Sequence, residues 1–190
     1  MNVYSAILRR RSIRRFKQQH IQENLLFKLV DTSRLAPSAG NNQPLAFITI
    51  STGEGCEKIF PHLEWARYIE NDEPPEGKRP AAYIVVLIDR EVLPEGGAHD
   101  VGAAVQNMLL AALEEGLGSC WIRSFDREKI AELLNVPESM ELDSVIALGK
   151  PAESPITEIM RESGKYWRDE RGLMHVPKRL LDNILHKEKF

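Results

Sequence analysis

Nine consecutive residues near the middle of the chain, Ala81–Asp89 (AAYIVVLID), restrict the possible folds more than any other segment. They are nearly all apolar and rich in β-branched side chains, so a strand built from them has no polar face to turn toward water. The apolar part, residues 81–88, is far shorter than the ~20 residues that cross a bilayer. We therefore predict a strand covered on both faces inside a globular domain, and no membrane span.

A long helix predicted over Val101–Glu115 is the second constraint, because it is apolar around much of its circumference. Asp100 is a good N-cap residue directly before it, and glycines at positions 116 and 118 would end it. Its many small residues favour close packing against another element. The sequence predicts that this is the central buried helix.

Further helices and strands alternate along the chain without repeats or low-complexity segments. This order predicts one α+β or α/β domain over residues 1–190, in which 153–190 is a polar extension. The predicted helices cover residues 3–11, 22–36 and 56–69, with a fourth capped by Asp126 and reaching 134. The other predicted strands cover 45–50, 119–122 and 145–148.

Composition excludes several classes of protein. A hydrophobic fraction of 43% and a charged fraction of 28% are ordinary for a globular domain and exclude a disordered chain. The two cysteines, Cys56 and Cys120, are too few for a disulfide scaffold, and no Cys/His spacing predicts a metal site. No secretory leader is recognisable, so we expect a cytoplasmic protein.

Charge is distributed unevenly along the chain. Residues 1–22 hold six cations and no acid, whereas the rest of the chain holds 19 basic and 28 acidic residues. Such a segment on an acidic body indicates a local anion site. Two alternatives remain: nucleic-acid binding through RRRSIRR, and an organelle transit peptide, although only two hydroxyl residues occur there.

Within this segment, Arg10 and Arg14 flank Ser12 at a spacing that places both guanidinium groups on one side of a helix. Guanidinium groups and a hydroxyl suit a phosphate monoester, whose oxygens accept several hydrogen bonds. The alternative is a solvated basic helix end. We interpret Arg15 as a solvated neighbour.

Two further segments have residues that suit ligand binding, one for a polar ligand and one for a flat ligand. Ser38–Gln43 lies between two prolines and offers hydrogen-bonding groups around a glycine, although it could also be a plain connection. Gly116–Phe125 predicts a strand edge with a free backbone N–H and an aromatic wall. We interpret Cys120 there as a small hydrophobic residue. Neither a Rossmann glycine motif nor a P-loop is present.

In order and spacing these segments resemble the FMN-dependent nitroreductase family. The resemblance runs through RRSIRRF (10–16), LAPSAGNNQP (35–44), DVGAAVQNMLLAALEEGLGSCWI (100–122) and ALGKP (147–151). It implies an α+β fold, namely a nitroreductase-like α/β sandwich with a central, mainly antiparallel sheet flanked by helices. It also implies an intertwined homodimer with FMN at the interface.

The resemblance also assigns roles to residues. Arg10, with Arg11 beside it, and Ser12 would meet the phosphate and ribityl chain, and Arg14 would lie near flavin O2 and N1. The partner's loop would contribute Pro37, Ser38, Ala39 and Asn41. Backbone near Trp121, Ile122 and Arg123 would offer an N–H to flavin N5. The candidates for a C-terminal phosphate cation are Lys178 and Arg179, then Lys150 beside Gly149.

The implied function is hydride transfer from NAD(P)H to FMN and on to a nitroaromatic, quinone or similar small acceptor, with no obligatory catalytic side chain. The alternative is a flavin-binding sensor or storage protein with little turnover. We expect a homodimer, no nucleic-acid partner and no membrane partner. Because residues 153–190 lack a core of their own, we predict that they wrap the partner subunit.

Overall fold

A five-stranded, fully antiparallel sheet forms the centre of the computed structural model, which describes residues 1–190. The longest strand, β5, pairs with three neighbours, and β2 pairs with β3 at one edge of the sheet. The strands are β1 (Phe16–Lys17), β2 (Leu45–Ile50), β3 (Ala82–Asp89), β4 (Gly118–Ile122) and β5 (Met140–Pro151).

β3 is the strand predicted from the apolar run, and both of its faces are covered as expected. Side chains of one parity face a cluster with Cys56, Ile59 and Ile130, and the others face Leu26, Leu29 and Met108. The helices are α1 (Val3–Arg9), α2 (Glu23–Arg34), α3 (Gly53–Ile59), α4 (Ala98–Glu114) and α5 (Arg127–Leu134). Thus α2 and α4 cover one face, and α3 and α5 cover the other.

Both predicted ends of β5 and both predicted ends of α3 are wrong. β5 extends well beyond 145–148, because its polar ends pair with β1 and β3 and need no apolar pattern. α3 begins at Gly53 behind the cap of Thr52 and ends by residue 59, since Pro61 converts the next turn to a short 3₁₀ helix. Residues 63–69 therefore form no helix.

The start of α4 also differs from the prediction. Gly97, with a φ of 92°, occupies the N-cap position, so the helix begins three residues before Val101. Asp100 lies inside the first turn, where its carboxylate accepts the backbone N–H of Ala39 at 3.1 Å. The residue that was predicted to cap the helix instead holds the loop after α2. Asp126 does cap α5, accepting the N–H of Lys129.

The C-terminal extension forms a small sheet that the weak periodicity did not predict. Its strands are β6 (Ile156–Ile159), β7 (Trp167–Arg168) and β8 (Met174–Lys178), in the order β6–β8–β7. Met174 is buried against the body of the same chain, whereas Leu180, Leu181, Ile184 and Leu185 are each about half exposed or more. No helix of the protein combines the length and the apolar character that crossing a membrane requires.

Candidate functional site

The cationic segment and the strand β4 lie against each other, as the candidate site requires. Ser12 bridges to Ser119, and the N–H of Ile13 donates to the Ser119 carbonyl at 2.9 Å. The contact depends on Gly118, because a Cβ there would lie 2.9 Å from the Ile13 side chain. Residues 10–15 therefore run along the outer edge of the sheet, with Arg10 and Arg11 at the beginning of β4 and Arg14 at its end. The predicted helical spacing of Arg10 and Arg14 is wrong, because α1 ends at Arg9.

At the beginning of β4, Arg10 and Arg11 line a cleft of about 500 Å³. Arg10 is half-buried and forms no ion pair, and burial lowers the pKa of its guanidinium group. The single acid in the lining, Glu153, is already bound to Arg168 at 2.8 Å. A partly desolvated cation without a carboxylate partner costs the fold free energy, but it binds an anion strongly. The cleft fits a phosphate group.

At the other end of β4, Arg14 lines a smaller pocket of about 120 Å³ with Trp121, Ile122 and Arg123. The Arg14 guanidinium carbon lies 4.6 Å from the centre of the Tyr166 ring, a cation–π distance. Since β4 ends at Ile122, the backbone after it leaves the sheet. The sequence-predicted group of a cation, an aromatic wall and a free strand end is therefore assembled here.

Cys120 lies between the two arginine groups but is not a nucleophile. Its side chain is buried in the core on one face of the sheet. Burial raises the pKa of the thiol, and the nearby charges of Arg14 and Arg10 only partly oppose this. A neutral buried thiol has little nucleophilic character. This agrees with the interpretation of Cys120 as a small hydrophobic residue.

Gly149 and Lys150 line neither pocket. A Cβ on Gly149 would lie 2.7 Å from the Phe16 ring, so the glycine allows β1 to cross β5 closely. The Lys150 ammonium group donates to the Glu115 carbonyl at 3.1 Å, at the C-terminal end of α4. Both residues serve the packing of the sheet and of α4 in this chain.

Lys178 and Arg179 lie at the end of β8 and do not line the Arg10 cleft either. Lys178 pairs with Ile159 across the small sheet, and Arg179 donates to the Asn183 carbonyl. The neighbouring strand β6 reaches the cleft through Ile156 and Thr157. The C-terminal sheet therefore borders the cleft, whereas its terminal cations do not enter it within one chain.

The Ser38 loop lies at the opposite edge of the sheet. It precedes β2, whose first residue, Leu45, pairs with Ile88 near the C-terminal end of β3. The opposite end of β3, at Ala82, is the end that lies nearest Gly118 of β4. Three strand spacings separate β2 from β4, roughly 14 Å at ~4.8 Å each. Pro37 and Ser38 line a separate pocket of about 140 Å³, and Ala39 and Asn41 lie in the adjoining 3₁₀ turn. One chain does not bring this loop to the arginines.

A buried ion network was missed by the sequence analysis and corrects the interpretation of Arg15. Asp72, only 5% exposed, accepts from Arg15 at 2.6 Å and from Arg168 at 2.8 Å. Arg168 also binds Glu153, whose other oxygen accepts the Arg14 backbone N–H. Arg15 is therefore not solvated. Asp72 lies between residues 63 and 81 with four other acids, and no sequence pattern distinguishes it from them.

Comparison with known proteins agrees with this geometry. A family model described as the nitroreductase family matches residues 7–150. The chain belongs to the nitroreductase family. A protein of Methanothermobacter thermautotrophicus, provisionally named NADH dehydrogenase/NAD(P)H nitroreductase, is 37% identical over 163 residues, covering 83% of this chain and 81% of that protein. An Archaeoglobus fulgidus protein with the same name is 30% identical over 191 residues, covering 97% and 96%.

Solved structures of nitroreductases have the same fold. A provisionally named nitroreductase from Desulfovibrio desulfuricans, crystallised in complex with FMN, is 28% identical with a TM-score of 0.71 and covers 100% of this chain and 98% of its own. A nitroreductase family protein from Clostridium difficile, 24% identical, has a TM-score of 0.71 over both full chains. The predicted family and the predicted nitroreductase-like fold are confirmed.

Proposed function

We propose that this protein is an FMN-dependent oxidoreductase that takes hydride from NAD(P)H and reduces a small acceptor such as a nitroaromatic or a quinone. The observation that carries the proposal is Arg10, a half-buried cation without a carboxylate partner in an open cleft. The family membership and the FMN complex of the Desulfovibrio relative support the choice of cofactor.

Residues of the two ends of β4 fit the two ends of FMN. Arg10 and Arg11 would hold the phosphate, with Ser12 toward the ribityl chain, and Arg14 would lie at the pyrimidine edge of the flavin. The backbone N–H near Arg123 would face flavin N5. When bound, FMN supplies the hydride and electron chemistry. The chain's own residues bind it, orient it and place positive charge where the reduced flavin is negative.

We further propose that the site is completed by a second copy of this chain. Pro37, Ser38, Ala39 and Asn41 lie at the opposite sheet edge from Arg14 in their own chain, so they would reach the flavin only from a partner. The half-exposed Leu180–Leu185 segment supplies apolar surface for such a contact. Lys178 and Arg179, which enter no cleft of their own chain, would follow that segment toward the partner's phosphate.

The visible spectrum of the purified protein tests the cofactor. We expect a yellow protein that releases FMN and bleaches when NADH or NADPH is added. Mass spectrometry of the released chromophore distinguishes FMN from FAD, and recovery of FAD alone would overturn the assignment. A yellow protein that neither pyridine nucleotide bleaches would favour a sensor or storage role.

Sedimentation of the protein with and without FMN over a dilution series tests the shared site. We expect FMN to shift the equilibrium toward the dimer, because a ligand that binds only the dimer stabilises it by mass action. A stable monomer that retains FMN would contradict the proposal that the Ser38 loop acts on the partner's flavin.

A further inference from the structure

The pocket beside Arg14 continues into an aromatic surface, at the end of β4 opposite to the phosphate cleft. Tyr68 and Tyr166 lie with their ring centres 5.1 Å apart, and Arg14 packs over Tyr166. Tyr68 is 48% exposed, and its loop is held by the Glu64 N–H, which donates to the Ser124 carbonyl at 3.0 Å. A fixed, exposed aromatic surface thus adjoins the end of β4, where the flavin ring is proposed to lie.

This surface is surrounded by cations that lack acidic partners. The Arg67 guanidinium carbon lies 5.9 Å from the Tyr68 ring centre, and the Lys165 ammonium nitrogen lies 5.7 Å from it. Neither side chain forms an ion pair within the chain. The pocket lining holds three arginines and one carboxylate, Glu64. Arg123, by contrast, lies 3.6 Å from Asp143 and is partly neutralised.

A buried hydrogen-bond donor is the second, independent observation. The indole N–H of Trp65 is buried and has no acceptor in the chain, although Trp65 lines the same pocket. An unpaired buried donor is costly and rare in a native protein. Trp121, which lines the same pocket, has an unpaired indole N–H as well.

We propose that the Tyr68–Tyr166 surface beside this pocket selects a planar aromatic anion, a ring that carries a carboxylate or an equivalent negative group. The ring packs on Tyr68 and Tyr166, and the anionic group lies between Arg67 and Lys165. This inference names the substrate class of the proposed oxidoreductase and so rests on the proposed function. Quinones and nitroaromatics without charge would then be weaker ligands than their carboxylated counterparts.

Calorimetric titration of the oxidised, FMN-loaded protein with 4-nitrobenzoate and 4-nitrobenzamide tests the selection without any turnover. The two probes share the ring and the nitro group and differ in charge. We expect the benzoate to bind about tenfold more tightly at low salt, the size of one charge-assisted hydrogen bond. The preference should shrink as salt screens the exposed cations. Equal affinities would overturn the proposal.

Variants locate the preference. Arg67→Gln and Lys165→Gln should each reduce the benzoate preference about threefold and together abolish it, since each removes one exposed charge. Arg171→Gln is the matched control, because Arg171 is exposed and lines a cleft that contains neither Arg67 nor Lys165. A preference that survives in the double variant would overturn the assignment to this pocket.

The proposed function is tested separately on the same samples. Flavin content and bleaching by NADH test the oxidoreductase activity, whereas the ratio of the benzoate and benzamide affinities tests the selection of an anion. A yellow protein that NADH reduces but that shows no charge preference would refute the inference alone. A colourless preparation would refute the proposed function, and the ratio measured on it would still decide whether an aromatic-anion pocket exists.

Discussion

Arg10 and Arg15 belong to one run of cations in the sequence, yet the fold places them in opposite environments. Arg15 is clamped by Asp72, which also binds Arg168, and all three side chains are at most 16% exposed. Arg10 is half-buried with no carboxylate partner, beside an open cleft. A buried charge whose partner lies within the chain serves the fold. A buried charge without one indicates a partner from outside the chain.

Removing Asp72 should have the largest effect on stability and tests whether the Arg15 ion pair serves the fold. We expect Asp72→Ala to lower the free energy of unfolding by about 3–5 kcal/mol, because it leaves Arg15 buried without a carboxylate partner and Arg168 with Glu153 alone. Urea unfolding of the FMN-free protein measures this. Glu57→Gln is the control, since Glu57 pairs with Arg79 at the surface and should cost no more than about 1 kcal/mol. Similar losses for both variants would show that the buried ion pairs of Asp72 stabilise the fold no more than a surface ion pair does.

A pair of matched variants then separates the two arginines. We expect Arg10→Gln to weaken FMN binding by roughly 1.5–3 kcal/mol, about 10- to 100-fold, and to leave the apoprotein as stable as before. Arg15→Gln should do the reverse, lowering stability while keeping the FMN dissociation constant within a few-fold. Fluorescence titration of the apoproteins with FMN and urea unfolding together give the answer. Equal changes in both quantities would contradict the distinction.

The sequence predicted an anion site beside Arg10, but it did not predict the buried ion pair of Arg15. The partner of Arg15 lies 57 residues away in a loop with several other acids, so local pattern contains no information about the pair. By contrast, β3 was predicted because nearly all of its own residues are apolar, a pattern typical of a strand that is buried on both faces. The polar ends of β5, the irregular residues 63–69 and the C-terminal sheet were missed for the same reason as Asp72. Their structure depends on contacts that lie far along the chain.

The thiol of Cys56 is a titratable group that burial keeps neutral, in contrast to the buried charges of Arg10 and Arg15. Burial raises the pKa of Cys56 to about 11 from an ordinary value of 9.0. Above pH 9 the unfolded thiol ionises before the folded one, so the free energy of unfolding falls between pH 9 and pH 11. One group contributes a slope of at most about 1.4 kcal/mol per pH unit. Cys56→Ala should fall less steeply over that range, and identical slopes would refute this assignment.

The smallest expected effect concerns Tyr83, whose hydroxyl is buried without a hydrogen-bond partner. Like Arg10, it is an unpaired polar group, but it lies within the hydrophobic core. Tyr83→Phe should therefore leave stability at pH 7 unchanged or raise it by up to about 1 kcal/mol, since it removes a desolvated group and no bond. Thermal unfolding measures this. A marked loss would reveal a partner for the hydroxyl.

The pairing of β1 with the last residues of β5 has a consequence for biosynthesis. Phe16 pairs with Pro151 and Ser12 with Ser119, so the cationic segment is synthesised more than a hundred residues before the strands that it contacts. Contacts this distant in sequence form late, because a long loop must close before they stabilise anything. We therefore expect the nascent chain to expose these six cations until β4 and β5 have been synthesised, and the Arg10 cleft to form only after that.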